Sequence, residues 1–453
     1  MNAFVLKPSR CGLRRAIVVA ALPLLLAASA YSARATTVER VQSPGGVEAW
    51  LVREPAVPLI AVHFAFSGGA VQDPAGKAGS ANLTASLLGE GAGDLDSKAF
   101  TERLERKAVE MNFDAERDNL RGSMRTLTEN RDEAFDLLRL ALTAPRFDAA
   151  DVEINRAQML SHLRREKTNP GDIAMRRWWE TAFQGHPYGR PVSGTPESLP
   201  SISIDDLKAF AHRVLARQNL KIAVVGDIDA ETLKPLLDRV FGALPQQPDL
   251  APVENVTPQG LGRRIVVSLD VPQAVVYFGG PGIARKDPDF MAAYLVNHIL
   301  GGGSSESRLY HEVREKRGLA YSVSDSLVWL NHTALFLGGT ATRGNRTGET
   351  LDVIENEIHR FADQGPTAAE LAGAKNYMNS SFALNLDTST KIASLLVQLQ
   401  LDGLGIDYIQ RRAAMIDAVT LDDARRAAKR LLDNGMLVTV VGRPEGVAST
   451  TAN

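Results

Sequence analysis

Ile222-Ala223-Val224-Val225-Gly226 is a β-branched run closed by glycine, and Leu437-Val438-Thr439-Val440-Val441-Gly442 repeats it, the Val-Val-Gly recurring 216 residues later. Both runs read as strands. Each follows a segment with helix-start chemistry, Ile204-Asp205-Asp206-Leu207 in one case and Leu421-Asp422-Asp423-Ala424 in the other, 217 apart. Acids in a first helical turn face the positive end of the helix dipole. Further upstream, Ala149-Ala150-Asp151-Val152 and Ala368-Ala369-Glu370-Leu371 open a second matched pair of helices, 219 apart. Asp73-Pro74 and Asp287-Pro288, 214 apart, open small-residue helices that end in Gly89-Glu90-Gly91 and Gly301-Gly302-Gly303.

Four landmarks at nearly one spacing imply a duplication. Alternating segments such as Ile60 to Phe66 and Ala274 to Phe278 read as strands, and Glu153 to Arg165 and Leu351 to Phe361 have helical spacing. The expected fold is α+β: two homologous domains, each a mostly antiparallel sheet with helices packed on one face. Residues 36–250 form the first and 261–453 the second. The Pro- and Gln-rich stretch between them places a linker at 251–260.

Residues 1–35 stand apart. Lys7, Arg10, Arg14 and Arg15 precede an apolar run from Ala16 to Ala30, and Ala33-Arg34-Ala35 has the small-x-small pattern of a secretory cleavage site. The run is short of the ~20 residues that span a bilayer. Export to the periplasm is expected, with no stable membrane insertion after cleavage. The segment carries five basic groups and no acid, so its removal turns the formal charge from −2 to −7. No basic stripe suggests nucleic acid. The only cysteine, Cys11, leaves with the segment, which excludes disulfides, thiol nucleophiles and thiolate metal ligands from the mature chain.

Three separated stretches carry a family resemblance. Gly68-Gly69-Ala70-Val71-Gln72-Asp73-Pro74-Ala75-Gly76-Lys77-Ala78-Gly79 resembles the lead-in to the zinc helix of the insulinase and pitrilysin superfamily of peptidases, the inverzincins. Gly185-His186-Pro187-Tyr188-Gly189-Arg190-Pro191-Val192-Ser193-Gly194-Thr195 is similar to a second signature, and the stretch from Leu309 to Val323 to a third. The resemblance spans nearly all of the chain beyond residue 35, and its two-domain form is similar to bacterial members that resemble mitochondrial processing peptidase. It implies that the chain forms half of a clam-like chamber.

The superfamily's zinc site is H-x-x-E-H on one helix, with histidines four apart ligating the metal and the glutamate activating its water. Aligned on the lead-in, those positions hold Asn82, Ala85 and Ser86, and the third ligand, a glutamate about 75 residues on, aligns with His162 beside Ser161. No two of the eight histidines are four apart, and His311-Glu312 is followed by Glu315 where a second histidine would have to stand. No metal and no cofactor is expected in this chain.

Arg314 and Tyr321 remain, in Arg-x-x-x-Gly-Leu-x-Tyr. On residue type alone Arg314 belongs to a solvated helix face among Glu312, Glu315 and Lys316, and Tyr321 to the core. The resemblance implies instead that the pair reaches a zinc site, holds the substrate carbonyl and stabilises the oxyanion. Gly301-Gly302-Gly303 lacks the lysine of a phosphate loop and reads as a helix end, or by the resemblance as a mobile loop near a substrate chamber. Together these imply a non-catalytic subunit pairing with a zinc-bearing homologue and acting on a peptide or unfolded protein. A structural or peptide-binding scaffold with no role in proteolysis is the alternative.

Overall fold

The computed structural model describes residues 37–302 and 305–450. The segment expected to be an export signal and Gly303 of the glycine-rich loop lie outside the described residues. Strands β1 (Glu39–Gln42), β2 (Glu48–Arg53), β3 (Leu59–Ser67), β4 (Glu110–Ala115), β5 (Asn119–Leu127) and β6 (Leu220–Gly226) form one sheet in the order β1-β2-β6-β3-β5-β4. Strands β7 (Arg264–Ser268), β8 (Gln273–Pro281), β9 (Ala320–Trp329), β10 (Ala334–Arg343) and β11 (Leu437–Gly442) form the other, in the order β7-β11-β8-β10-β9. Without β1 the two orders match strand for strand. In each, one pair is parallel, β2 with β6 and β7 with β11, and the rest are antiparallel. The repeated Val-Val-Gly therefore occupies equivalent places. Its glycine is required in both: φ is 145° at Gly226 and 146° at Gly442, and a Cβ would lie 2.0 Å from Leu59 O in the first and 2.8 Å from Ala274 Cα in the second.

The first half adds helices α1 (Ser80–Leu87), α2 (Ser97–Arg106), α3 (Arg131–Thr143), α4 (Ala149–Glu166), α5 (Pro170–Ala182), α6 (Ile204–Val214) and α7 (Ala230–Phe241). The second adds α8 (Phe290–Leu300), α9 (Thr347–Gln364), α10 (Ala368–Ser381), α11 (Ser389–Leu401), α12 (Tyr408–Asp417) and α13 (Leu421–Leu432). Three of the four acidic signals that suggested helix starts belong to capping boxes: Ser203 with Asp206 opens α6, Thr367 with Glu370 opens α10 and Thr420 with Asp423 opens α13, while Asp151 lies in the first turn of α4 without one. The helix after Asp73-Pro74 begins only at Ser80. Gly76 and Gly79 adopt positive φ, and the buried Asp73 carboxylate accepts from Gly79 N (2.7 Å) and Ala81 N (2.8 Å), capping α1 from six residues upstream.

Strand periodicity divides the core. Ile60, Val62, Phe64 and Phe66 of β3 and Ile222 and Val224 of β6 face the first half's own helices, while Ala65, Ala223 and Val225 face the other way. That second face is covered by α11, which packs on β3 and β6 although it belongs to the second half. The exchange is mutual, for α5 packs on β8 and β11. Trp178 Nε1 of α5 donates to Leu437 O (3.0 Å), and Gln400 Nε2 of α11 donates to Ile222 O (2.9 Å), so each crossing helix bonds a carbonyl of the opposite half's last strand. Burial on both faces explains why β6 and β11 read as unbroken apolar runs.

Candidate functional site

Helix α1 brings the degenerate zinc positions into one turn. Ala85 is buried, Ser86 turns its hydroxyl back to Leu83 O (3.0 Å), and Asn82 alone lines a cleft of about 210 Å³. The two N-terminal signature stretches meet beside it. Arg190 donates to Asp73 O (2.7 Å) and Val71 O (3.2 Å), and Ser198 Oγ donates to Ala78 O (2.7 Å), which fixes the lead-in that aims α1.

His162 does not complete a metal site. Its Nδ1 lies 2.9 Å from Glu166 Oε1 on the same face of α4, and its ring is mostly exposed. Glu166 is itself paired with Arg176 of α5, and both line the cleft with Asn82. An amide, a methyl group, a back-bonded hydroxyl and an imidazole directed at a paired carboxylate do not fit zinc, and a guanidinium stands in the same cleft. Among the described residues no three His, Cys, Asp or Glu side chains gather so as to hold a metal ion.

Arg314 and Tyr321 meet elsewhere. Arg314 lies on a π-helical turn, Tyr310–Glu315, that leads through Gly318 (φ 59°) into β9, the edge strand of the second sheet. The reversal at Gly318 brings the guanidinium 4.4 Å from the Tyr321 ring centroid and 4.9 Å from that of Tyr310. The acids near it in sequence are engaged by other side chains: Glu312 by Lys316, Arg317 and Arg360, and Glu315 by the His311 ring. Tyr321 is 79% exposed, which corrects its assignment to the core from residue type. The result is a cation and a phenol held together on an exposed sheet edge.

Gly301 and Gly302 close α8, as expected of a helix end, above a buried acid on β9. Asp325 N donates to Gly301 O (3.0 Å), and the Asp325 carboxylate accepts from Asn297 Nδ2. Burial holds that carboxyl well above the usual carboxylate range, with the Asn297 hydrogen bond offsetting part of the effect. A Cβ on Gly301 would stand 2.9 Å from Asp325 Cγ, and one on Gly302 would stand 2.7 Å from His298 Cα. The glycines here permit close packing.

Residues 51–196 match the family model described as insulinase, peptidase family M16, and residues 201–378 match that of the peptidase M16 inactive domain. The chain belongs to the M16 family. Among M16 relatives, a non-peptidase homologue from Helicobacter pylori, YmxG, is 27% identical over 81% of this chain and 85% of its own length. An uncharacterized zinc protease of Streptomyces coelicolor, SCO5738, is also 27% identical, over 90% of each chain. A crystal structure of a peptidase M16 inactive domain from Pseudomonas fluorescens superposes with a TM-score of 0.85 at 28% identity, covering 92% of this chain and all of the other. Within M16 this chain is an inactive member, its zinc-motif positions holding Asn82, Ala85, Ser86 and His162. What motif reading missed in this M16 chain is the Glu166–Arg176 pair in the cleft. Its only trace is a charged pair ten residues apart, flanking a helix start at Pro170.

Proposed function

We propose that this chain is the non-catalytic subunit of an exported, periplasmic heterodimeric zinc peptidase, in which Arg314 and Tyr321 serve the active site of a zinc-bearing partner. One observation carries the reading: the chain lacks the zinc ligands yet presents a guanidinium 4.4 Å from an exposed phenol ring with no carboxylate salt bridge to that guanidinium among the described residues. A cation and a phenol hydroxyl can hold a scissile carbonyl and complement the oxyanion of the tetrahedral intermediate, a contribution of about 2.7–4 kcal/mol for one well-placed donor. Peptide-bond hydrolysis uses water activated at the partner's zinc. Two halves of a clam-like chamber admit a peptide or an unfolded segment and exclude folded protein.

A scaffold role without proteolysis is the second reading, and the relative named a non-peptidase homologue favours it. Reconstitution with the zinc-bearing homologue separates the two. Arg314→Ala and Tyr321→Phe should each assemble normally and lower kcat/KM toward an unfolded peptide by about two orders of magnitude. Unchanged turnover at equal complex formation would leave the scaffold reading.

A further inference from the structure

The cleft beside Asn82 has a chemistry of its own. Asp172, Met175, Arg176 and Trp179 recur at helical spacing and line it from α5, while Arg117, in the turn between β4 and β5, lines it from the first sheet. The Arg117 guanidinium lies 3.6 Å from the centroid of the Trp179 ring, which stacks on Phe183 at 5.2 Å. Its Nε is buried and meets no acceptor. The adjacent acid, Asp118, is committed to Tyr188 Oη (2.7 Å) and Asn331 N (2.7 Å). Burial lowers the Arg117 pKa to about 10, the mark of a cation short of solvent and of a full counter-charge. The other cations are spoken for: Arg176 pairs with Glu166, and Arg190 donates to Val71 O and Asp73 O.

We propose that this cleft binds the C-terminal carboxylate of a peptide whose last side chain is apolar. A guanidinium held 3.6 Å from an indole centroid is a planar fork whose donors match a carboxylate. Met175, Trp179 and Val192 supply an apolar wall for the terminal side chain. The volume of about 210 Å³ lies below the ~300–1,000 Å³ of sites that enclose whole small molecules, and suits the end of a chain. Asp172 and Glu166 in the lining disfavour a dianion such as phosphate more than a single carboxylate.

The test uses the full chain without a partner. A labelled hexapeptide ending in leucine is titrated as the free acid and as the amide, followed by fluorescence anisotropy. The acid should bind at least about tenfold more tightly than the amide, the scale of one lost charge-assisted pair. Arg117→Gln should bring the acid down to the level of the amide. Met175→Glu, at a position 45% exposed on the rim, should weaken the acid similarly by placing a like charge beside it, without disturbing the buried stack. The acid and amide are compared on the unaltered chain, so a folding defect in a variant does not decide the result. Equal binding of acid and amide, or binding of neither, overturns the proposal. Displacement by free leucine or by inorganic phosphate at the concentration of the peptide acid overturns its assignment to a chain terminus. Peptidase activity enters nowhere, so the outcome is independent of the role given to Arg314 and Tyr321.

Discussion

The guanidinium of Arg314 lies 4.4 Å from the ring centroid of Tyr321, on the edge strand of the second sheet and at the end of a π-helical turn. A half-buried guanidinium against an exposed phenol ring contributes little to the fold, since a cation–π contact at the surface is worth about 0.5–1 kcal/mol. Tyr321→Phe should therefore leave the unfolding free energy within about 0.5 kcal/mol of wild type, and Arg314→Ala should lower it by no more than about 1 kcal/mol. Chemical denaturation of the isolated chain checks both values. A larger loss would make the pair a structural element and remove the reason to assign it a role toward a partner.

The exchanged helices predict how the chain unfolds. Each sheet has one face covered by its own half and the other by a helix of the opposite half, so neither half can bury its strands alone. Calorimetry should show one cooperative transition, and two resolved transitions would contradict the packing argument. Trp178→Phe removes the bond to Leu437 O at a fully buried site and should cost about 1–3 kcal/mol. Gln400→Leu, at the matching contact with Ile222 O, should cost a similar amount and lower the same single midpoint.

The duplication was legible because β-branched runs, helix-capping acids and closing glycines are local chemistry, repeated wherever the strand order repeats. The helix exchange was not. The apolar stripe of α5 says that a face is buried, and nothing in its spacing says that the partner is a strand some 260 residues away. Trp178-Trp179 shows the same limit: adjacent residues on a helix point in different directions, yet both are buried, Trp178 against the opposite sheet and Trp179 beneath Arg117. The positions Asn82, Ala85 and Ser86 were read by aligning the lead-in with the resembled family, whereas the cation that stands in the cleft beside Asn82 reaches there from α5 and had no motif to announce it. Arg314 and Tyr321 stood out only through the family resemblance, residue type alone having placed the tyrosine in the core, and their contact depends on the reversal at Gly318.

Glu312 gives the π-helical turn an acid-sensitive anchor. Its side chain is nearly buried, which works against ionisation, but hydrogen bonds from Lys316, Arg317 and Arg360 outweigh that and hold the pKa at about 2. The folded value lies below the ordinary 4.5, so the unfolded chain binds more protons in between. The stabilisation is therefore complete above about pH 4.5 and is lost as pH falls toward 2. Glu312→Gln should destabilise the chain at neutral pH by about 1–3 kcal/mol and make the decline in unfolding midpoint below pH 4.5 shallower than in wild type. Parallel pH curves for the two proteins would show that the carboxylate is not what anchors the turn.

Asp325 carries the opposite sign. Enclosed under Gly301, with Oδ2 meeting no hydrogen-bond donor, its carboxyl binds a proton more tightly in the folded chain than in the unfolded one. Folding is thus favoured most below the ordinary carboxylate range, and that advantage is lost as pH rises through the raised folded pKa. Asparagine copies the shape of the protonated acid, can keep the bond from Asn297 Nδ2 and does not titrate. Asp325→Asn should therefore be no more stable than wild type near pH 4 and gain on it steadily toward pH 8, by an amount read directly as the widening gap between the two thermal midpoints. A gap that stays constant across that range would mean that Asp325 remains ionised in the fold, and that the close approach of Gly301 is set by packing alone.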